Sequence, residues 1–204
     1  EDNTTHTVNV VRSDDTSSAT VDFATGGGTA VADSDYTATN GQLSFGVGES
    51  SKTISVPILE DSINEDSETF EITLSNPSVG STIVSTNPHV VTISDDDVTN
   101  ISFASPSQSV SENAGSVTVN LNRSNTNGYA IVNWATSSST ALDGSDFTGT
   151  SSGKAIFSNG QSSATIAIVV PIIDDSINED SENFHITLSN PESQFGTASI
   201  TGTN

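Results

Sequence analysis

Cysteine and methionine are both absent from this chain of 204 residues. Without a thiol there is no disulfide and no thiolate metal site, so the redox compartment is not encoded. Basic residues are nearly as scarce: 4 Lys and Arg stand against 26 Asp and Glu, a formal net charge of −22. Nucleic acid needs cations that neutralise phosphate, so it is excluded as a partner. An anionic membrane surface is disfavoured for the same reason. No run approaches the roughly 20 apolar residues of a membrane span, so no membrane insertion is expected. Trp134 is the one tryptophan, and few aromatics remain to stack on a sugar. Hydrophobic residues make up only 32%, which together with the charge raises the question of disorder.

Regular alternation argues against disorder. Ala19, Val21 and Phe23 alternate with polar residues, as do Ala130, Val132 and Trp134. Further rows run through Ile54, Val56 and Ile58, through Phe70, Ile72 and Leu74, and through Phe184, Ile186 and Leu188. Period two gives each strand one buried and one wet face. It places Trp134 in a core. Turn signals separate the rows: Gly26-Gly27-Gly28, Asn40-Gly41, Asn76-Pro77, Asn127-Gly128 and Asn159-Gly160. Many short strands with such turns predict antiparallel β-sandwiches.

One segment occurs twice. Asp61-Ser62-Ile63-Asn64-Glu65-Asp66-Ser67-Glu68 returns unchanged from Asp175 to Glu182. The match extends without a gap over Pro57 to Pro77 and Pro171 to Pro191. It differs only at Leu59/Ile173, Glu60/Asp174, Thr69/Asn183 and Glu71/His185. A repeat at this spacing predicts two domains of one fold, at 1–98 and 99–204. The row before Pro171 gains two residues, becoming Ile166, Ile168, Val170, Ile172. An even insertion keeps every side chain on its face, as a strand requires. Pro57 and Pro171 predict an edge strand or a bulge.

The repeated segment is a carboxylate cluster: Glu60, Asp61, Glu65, Asp66 and Glu68 in the first copy, with Asp95, Asp96 and Asp97 following a strand. Converging carboxylates repel one another unless protonated or bridged by a cation. Oxygen donors without His or Cys select Ca²⁺ over Zn²⁺ or Cu²⁺, and Mg²⁺ uses fewer carboxylates. Two plainer readings compete. Ser62-x-x-Glu65 also fits the capping box of a short helix, and an acidic run is often just a solvated loop. Recurrence of the pattern favours the metal site. The glycine and spacing of an EF-hand are missing. Gly26-Gly27-Gly28 is matched by Ser137-Ser138-Ser139, so it reads as a loop rather than a Ca²⁺-binding nonapeptide.

The ordered motifs resemble the Calx-β domain. They are Asp33-Ser34-Asp35-Tyr36, the strand ending in Phe45, Glu60 to Phe70, Leu74 to Pro77 and Asp95 to Asp97. The second copy shows Val110 to Gly115, Gly144 to Phe147, Ile156-Phe157, Asp174 to Glu182 and Leu188 to Pro191. The resemblance implies seven-stranded immunoglobulin-like sandwiches that bind Ca²⁺ by loops at one end. It implies a first site of Glu1, Asp35, Glu60, Asp61, Glu65, Glu68, Asp95, Asp96 and Asp97, with the Ile63 carbonyl as a further donor. The second would use Glu112, Asp146, Asp174, Asp175, Glu179 and Glu182. Asp66 and Asp180 are not family ligand positions and are expected to point outward.

Two departures follow. The second copy ends Ile200-Thr201-Gly202-Thr203-Asn204, without the triple Asp, so its site should be the weaker. Glu1 aligns with Glu112, so the first copy lacks the stretch matching Ile101 to Ser111 and its opening strand. That leaves a bare edge open to edge-strand self-association.

The functional expectation is a Ca²⁺-rigidified tandem module of a larger extracellular or cell-surface protein, bacterial and adhesive. Calcium ions, neighbouring repeats and a cell-surface or matrix ligand are its expected partners. The alternatives are a regulatory Ca²⁺ sensor and a glycan- or receptor-binding module. An enzyme is not expected: His6, His89 and His185 lie in strand-like rows, and no Gly-x-Ser-x-Gly is present.

Overall fold

The computed structural model describes residues 4–84, 86–161 and 166–202. It divides into two compact units: Glu1–Ser62 with Asp66–Asp96, and Ile63–Glu65 with Asp97–Asn204. The first unit holds β1 (Thr5–Val11), β2 (Ala19–Gly26), β3 (Asn40–Phe45), β4 (Ser51–Pro57), β5 (Glu68–Ser75) and β6 (His89–Ile93). Its sheets run β1-β4 and β3-β2-β5-β6, all antiparallel. Phe45, Ile54, Val56, Phe70 and Ile72 meet in its core, and the rings of Tyr36 and Phe70 stack 4.4 Å apart. These are the predicted alternating rows. Each fully buried aliphatic or aromatic side chain contributes roughly 1.5–3 kcal/mol.

The second unit has the full set of seven strands: β7 (Val98–Phe103), β8 (Ser116–Arg123), β9 (Ala130–Ser138), β10 (Gly153–Phe157), β11 (Ile166–Pro171), β12 (Phe184–Ser193) and β13 (Thr197–Ile200). Its sheets run β11-β8-β7-β13 and β10-β9-β12. Ile101, Leu121, Val132, Phe157 and Leu188 form its core, and Phe147 stacks on Phe184 at 4.3 Å. The opening strand, β7, is the element without a counterpart among the described residues of the first unit.

The last strand separates the two copies. In the first unit β6 pairs antiparallel with β5. In the second, a register shift between Ser189 and Glu192 bends β12, and β13 crosses to pair with β7 in parallel. The sandwich is thus not purely antiparallel. β7 runs antiparallel to β8, and the strand returning on its free side runs the same way as β7.

Other expectations resolve locally. Pro57 and Pro171 end β4 and β11, each paired on one side only, where a missing N–H is harmless. Ile168 and Val170 are buried while Val169 is exposed, as alternation requires; residues 162–165, where the row would lengthen, lie outside the described residues. Trp134 is half-buried and packs against the core of the second unit. Its ring lies over Gly153, where a Cβ would come within 2.2 Å of it. No helix forms at Ser62–Glu65; the one helical turn among the described residues is the 3₁₀ turn Glu112–Ala114. Gly28 adopts φ +78°, and a Cβ there would lie 2.0 Å from the Thr69 carbonyl oxygen, so the glycine run is a loop held tightly against β5.

Within the second unit, Asn64 is fully buried, and its Nδ2 donates to Thr99 Oγ1 at 2.9 Å and to the Thr197 carbonyl at 3.1 Å. Its repeat equivalent, Asn178, is exposed.

Candidate metal centre

The same turn presents an aspartate in each repeat. Asp35 N–H donates to the Val31 carbonyl at 3.0 Å, and the Asp33 N–H to the Tyr36 carbonyl at 2.8 Å. In the second repeat Asp146 N–H donates to Leu142 at 3.0 Å, and Gly144 N–H to Phe147 at 2.8 Å. The tight turn needs a left-handed residue, supplied by Asp33 at φ 66° and Gly144 at φ 87°. The carboxylate then folds back. Asp35 Oδ2 accepts from Val31 N–H, and Asp146 Oδ2 from Leu142 N–H at 2.6 Å. The carbonyls of Asp35 and Asp146 accept from Leu59 and Ile173, which ties the turn to the start of the octapeptide loop.

That loop brings two glutamates to the aspartate. Asp35, Glu65 and Glu68 each offer an oxygen within 4.8 Å of the others, and Asp146, Glu179 and Glu182 do the same. Asp35 is buried, while Glu65 and Glu68 are half-buried. Glu179 and Glu182 are exposed along a cleft also lined by Val110, Glu112, Asp146 and Asp180.

Desolvation and like charge act together on the second group. Desolvation first, then the charges of Asp146, Asp175 and Glu112, push the Glu179 carboxyl above its usual range. Desolvation again leads for Glu182, followed by a carboxyl–carboxyl hydrogen bond to Asp146 and the charges of Asp146, Glu179 and Glu112. A group held this way prefers a proton or a cation.

The remaining expected ligands stand around these triads. Glu68 pairs with Ile93 at the end of β6, so Asp95, Asp96 and Asp97 leave the sheet from beside it. Asp95 and Asp97 are half-buried and Asp96 is exposed. Asp61 is half-buried and Glu60 exposed in the same loop, both outside the three-oxygen group. Glu1 lies outside the described residues. Glu112 joins the second group through its Oε1, which accepts from Asp175 N–H at 3.3 Å. Asp175 Oδ1 in turn accepts from Ile177 N–H at 2.6 Å, shaping the loop. Asp174 is exposed and outside the triad. Asp66 is exposed, as expected. Asp180, expected to point away, lines the cleft; its position is identical in sequence to that of Asp66, so no local signal distinguished it.

Every donor in both triads is a carboxylate oxygen. Such a set suits a hard cation that takes six to eight oxygens, and not a thiophilic or imidazole-seeking metal.

The Calx-beta domain model matches residues 1–97 and again 94–201. Sodium/calcium exchanger 1 of Rattus norvegicus is 34% identical over 195 residues, covering 86% of this chain and 20% of that protein. Sodium/calcium exchanger Calx of Drosophila melanogaster is 31% identical over 187 residues, covering 90% of this chain and 19% of its own length. The chain therefore spans about a fifth of the curated relatives it matches. A solved structure, CBD12 from CALX1.2, is similar at 29% identity, covering 93% of this chain and 75% of its own, with a TM-score of 0.47. These relatives overturn the expected extracellular, bacterial setting: they are ion exchangers of animals. The chain belongs to the Calx-beta domain family, with two successive copies of the domain.

Proposed function

We propose that the acidic end of each sandwich binds Ca²⁺ and that the tandem is a Ca²⁺-responsive regulatory module of a larger ion-exchange protein. One observation carries this reading: the same turn-and-loop frame assembles a carboxylate triad twice, at Asp35, Glu65 and Glu68 and at Asp146, Glu179 and Glu182. The relatives support the regulatory half, since those named are sodium/calcium exchangers. Asp61, Glu60 and Asp95 to Asp97 complete the first site, and Glu112 and Asp175 the second. A bound ion offsets the mutual repulsion of these groups, so occupancy stiffens the loops that carry them. Binding of this kind uses all the clustered carboxylates together and needs no catalytic step. An adhesive role finds no support in these relatives.

At a free concentration 100 times Kd, one ion adds about 2.7 kcal/mol of stability. Calorimetric titration with Ca²⁺ should show saturable binding, and the melting temperature should rise on going from chelator to Ca²⁺. Identical melting in both conditions, with no heat of binding, would sink the proposal.

A further inference from the structure

The acidic end of the second unit carries large aliphatic side chains in contact with water. Leu142 is 55% exposed, Ile177 64%, and Val110, on the wall of the cleft, 40%. Each sits on a segment that presents a carboxylate. Leu142 N–H donates to Asp146 Oδ2 at 2.6 Å, and Ile177 N–H to Asp175 Oδ1 at 2.6 Å. Val110 precedes Glu112 on the same wall, and Glu112 Oε1 accepts from Asp175 N–H at 3.3 Å.

These segments share one end of the sandwich. Asp143 N–H donates at 3.0 Å to Oγ of Ser138, the last residue of β9, and Ser138 pairs with Phe184, the first of β12. The other end of β9 is Ala130, paired with Phe157. The first unit repeats the arrangement: Val31, at the position of Leu142, is also exposed, and its N–H donates to Asp35 Oδ2. The residues that follow change from Ala32-Asp33 to Asp143-Gly144, yet the exposed aliphatic stays. Single exposed aliphatics are ordinary on a protein surface. Three on the carboxylate-bearing segments of one acidic loop cluster form a patch of distinct character.

Charge decides when such a patch can meet lipid. A chain of net charge −22 is repelled by an anionic bilayer. A divalent cation held by Asp146, Glu179 and Glu182 cancels that repulsion at this end. The cluster is exposed, opens on a cleft of about 280 Å³, and lacks the three aspartates that follow β6 in the first copy. Hard cations of the calcium type take six to eight oxygens. Phosphate and carboxylate oxygens of lipid headgroups are the donors this cluster is short of.

We propose that the Ca²⁺-loaded end of the second unit docks on an anionic phospholipid bilayer. Leu142, Ile177 and Val110 enter the headgroup boundary, and headgroup oxygens join the carboxylates around the ion. The proposal rests on the Ca²⁺ reading above. Attachment of this kind lies on the surface and grows with the apolar area buried and with electrostatic attraction. No helix among the described residues is long and apolar enough to cross a membrane.

The test is co-sedimentation of the full chain with phosphatidylcholine vesicles, with and without phosphatidylserine, in saturating Ca²⁺ and in chelator. Calorimetric titration without vesicles sets saturation for each variant. Partitioning onto phosphatidylserine vesicles in Ca²⁺ should exceed that in chelator, and that onto phosphatidylcholine alone, by about tenfold or more. Leu142→Ser and Ile177→Ser keep the backbone donors and should each weaken it at least about fivefold through lost apolar burial. Ile156→Ser alters an exposed residue paired with Ile131, toward the other end of β9, and should leave it unchanged. Absence of a Ca²⁺ isotherm overturns this proposal together with the Ca²⁺ reading. An intact isotherm without vesicle binding overturns this proposal alone. Undiminished binding in both loop variants does the same, as does an equal loss in Ile156→Ser. Ca²⁺-driven sedimentation without vesicles also overturns it, because a second copy then covers the loops.

Discussion

The Arg123 guanidinium lies over the Phe157 ring, 5.5 Å from its centroid, and Arg12 lies over Phe45 in the same way at 5.4 Å. These arginines are half of the chain's four basic residues, and neither meets a carboxylate through its guanidinium among the bonds described. Arg123 donates instead to the carbonyls of Thr126, Gly128, Ser158 and Gln161. Arg12 gathers Asp15, Ser17, Gly46 and Glu49 in the same manner. One cation thus closes two turns at one end of each sandwich. Arg123 is 2% exposed and desolvation lowers its pKa, whereas Arg12 is only half-buried. Arg123→Ala should cost about 3 kcal/mol, because it leaves buried carbonyls without a donor, and Arg12→Ala about 1 kcal/mol. Chemical denaturation of the two variants measures both; equal costs would contradict the difference in burial.

Replacing a ligand should move stability in opposite directions with and without calcium. Glu182→Gln removes a charge that crowds Asp146, Glu179 and Glu112. In chelator the variant should melt higher than wild type. In Ca²⁺ it should melt lower, with affinity for the second ion reduced about tenfold. Scanning calorimetry in both buffers reads the two signs.

Acidification should act the same way. The folded-state pKa values of Glu179 and Glu182 are raised. Their contribution to stability is present below the ordinary glutamate pKa and is lost as pH rises through the raised values. In chelator, then, lowering pH from neutral toward the ordinary glutamate range should stabilise the second unit. Ca²⁺ affinity at Glu179 and Glu182 should fall over the same range, as protons compete. Titration calorimetry at several pH values would expose a pH-independent second site, the result that contradicts this.

The two sites should be unequal. Asp95 to Asp97 leave β6 beside Glu68, while the second repeat has Gly202 at the position of Asp95. With fewer anionic donors the second site should bind Ca²⁺ more weakly. Comparing Glu68→Gln with Glu182→Gln in the full chain separates them. Loss of the tighter isotherm in Glu182→Gln would reverse the order.

Glycine in the first unit gives a stability test independent of metal. Gly28→Ala forces a Cβ against the Thr69 carbonyl at positive φ and should cost more than about 2 kcal/mol. Gly48→Ala, at φ +82° with nothing within 4 Å, should cost only about 1 kcal/mol.

Much of this molecule was legible in its residues. Period-two rows gave the strands and their buried faces, because alternation is a local property of the backbone. The Asp61 to Glu68 repeat announced two copies of one domain, and the absence of His and Cys from the acid loops fixed the donor chemistry. The family motifs added Asp35, Asp146 and Glu112, which are distant in sequence from the octapeptide. What no local pattern could supply was neighbourhood. Asn64 and Asn178 share identical flanking residues, yet one is fully buried and the other exposed. Asp66 and Asp180 are equally alike, and Asp180 lines a cleft. The last strand pairs with β5 in one unit and with β7 in the other. Sequence determined what each segment can form and which atoms it can offer. Tertiary structure decided which partners were within reach, since burial and pairing depend on strands remote in the chain.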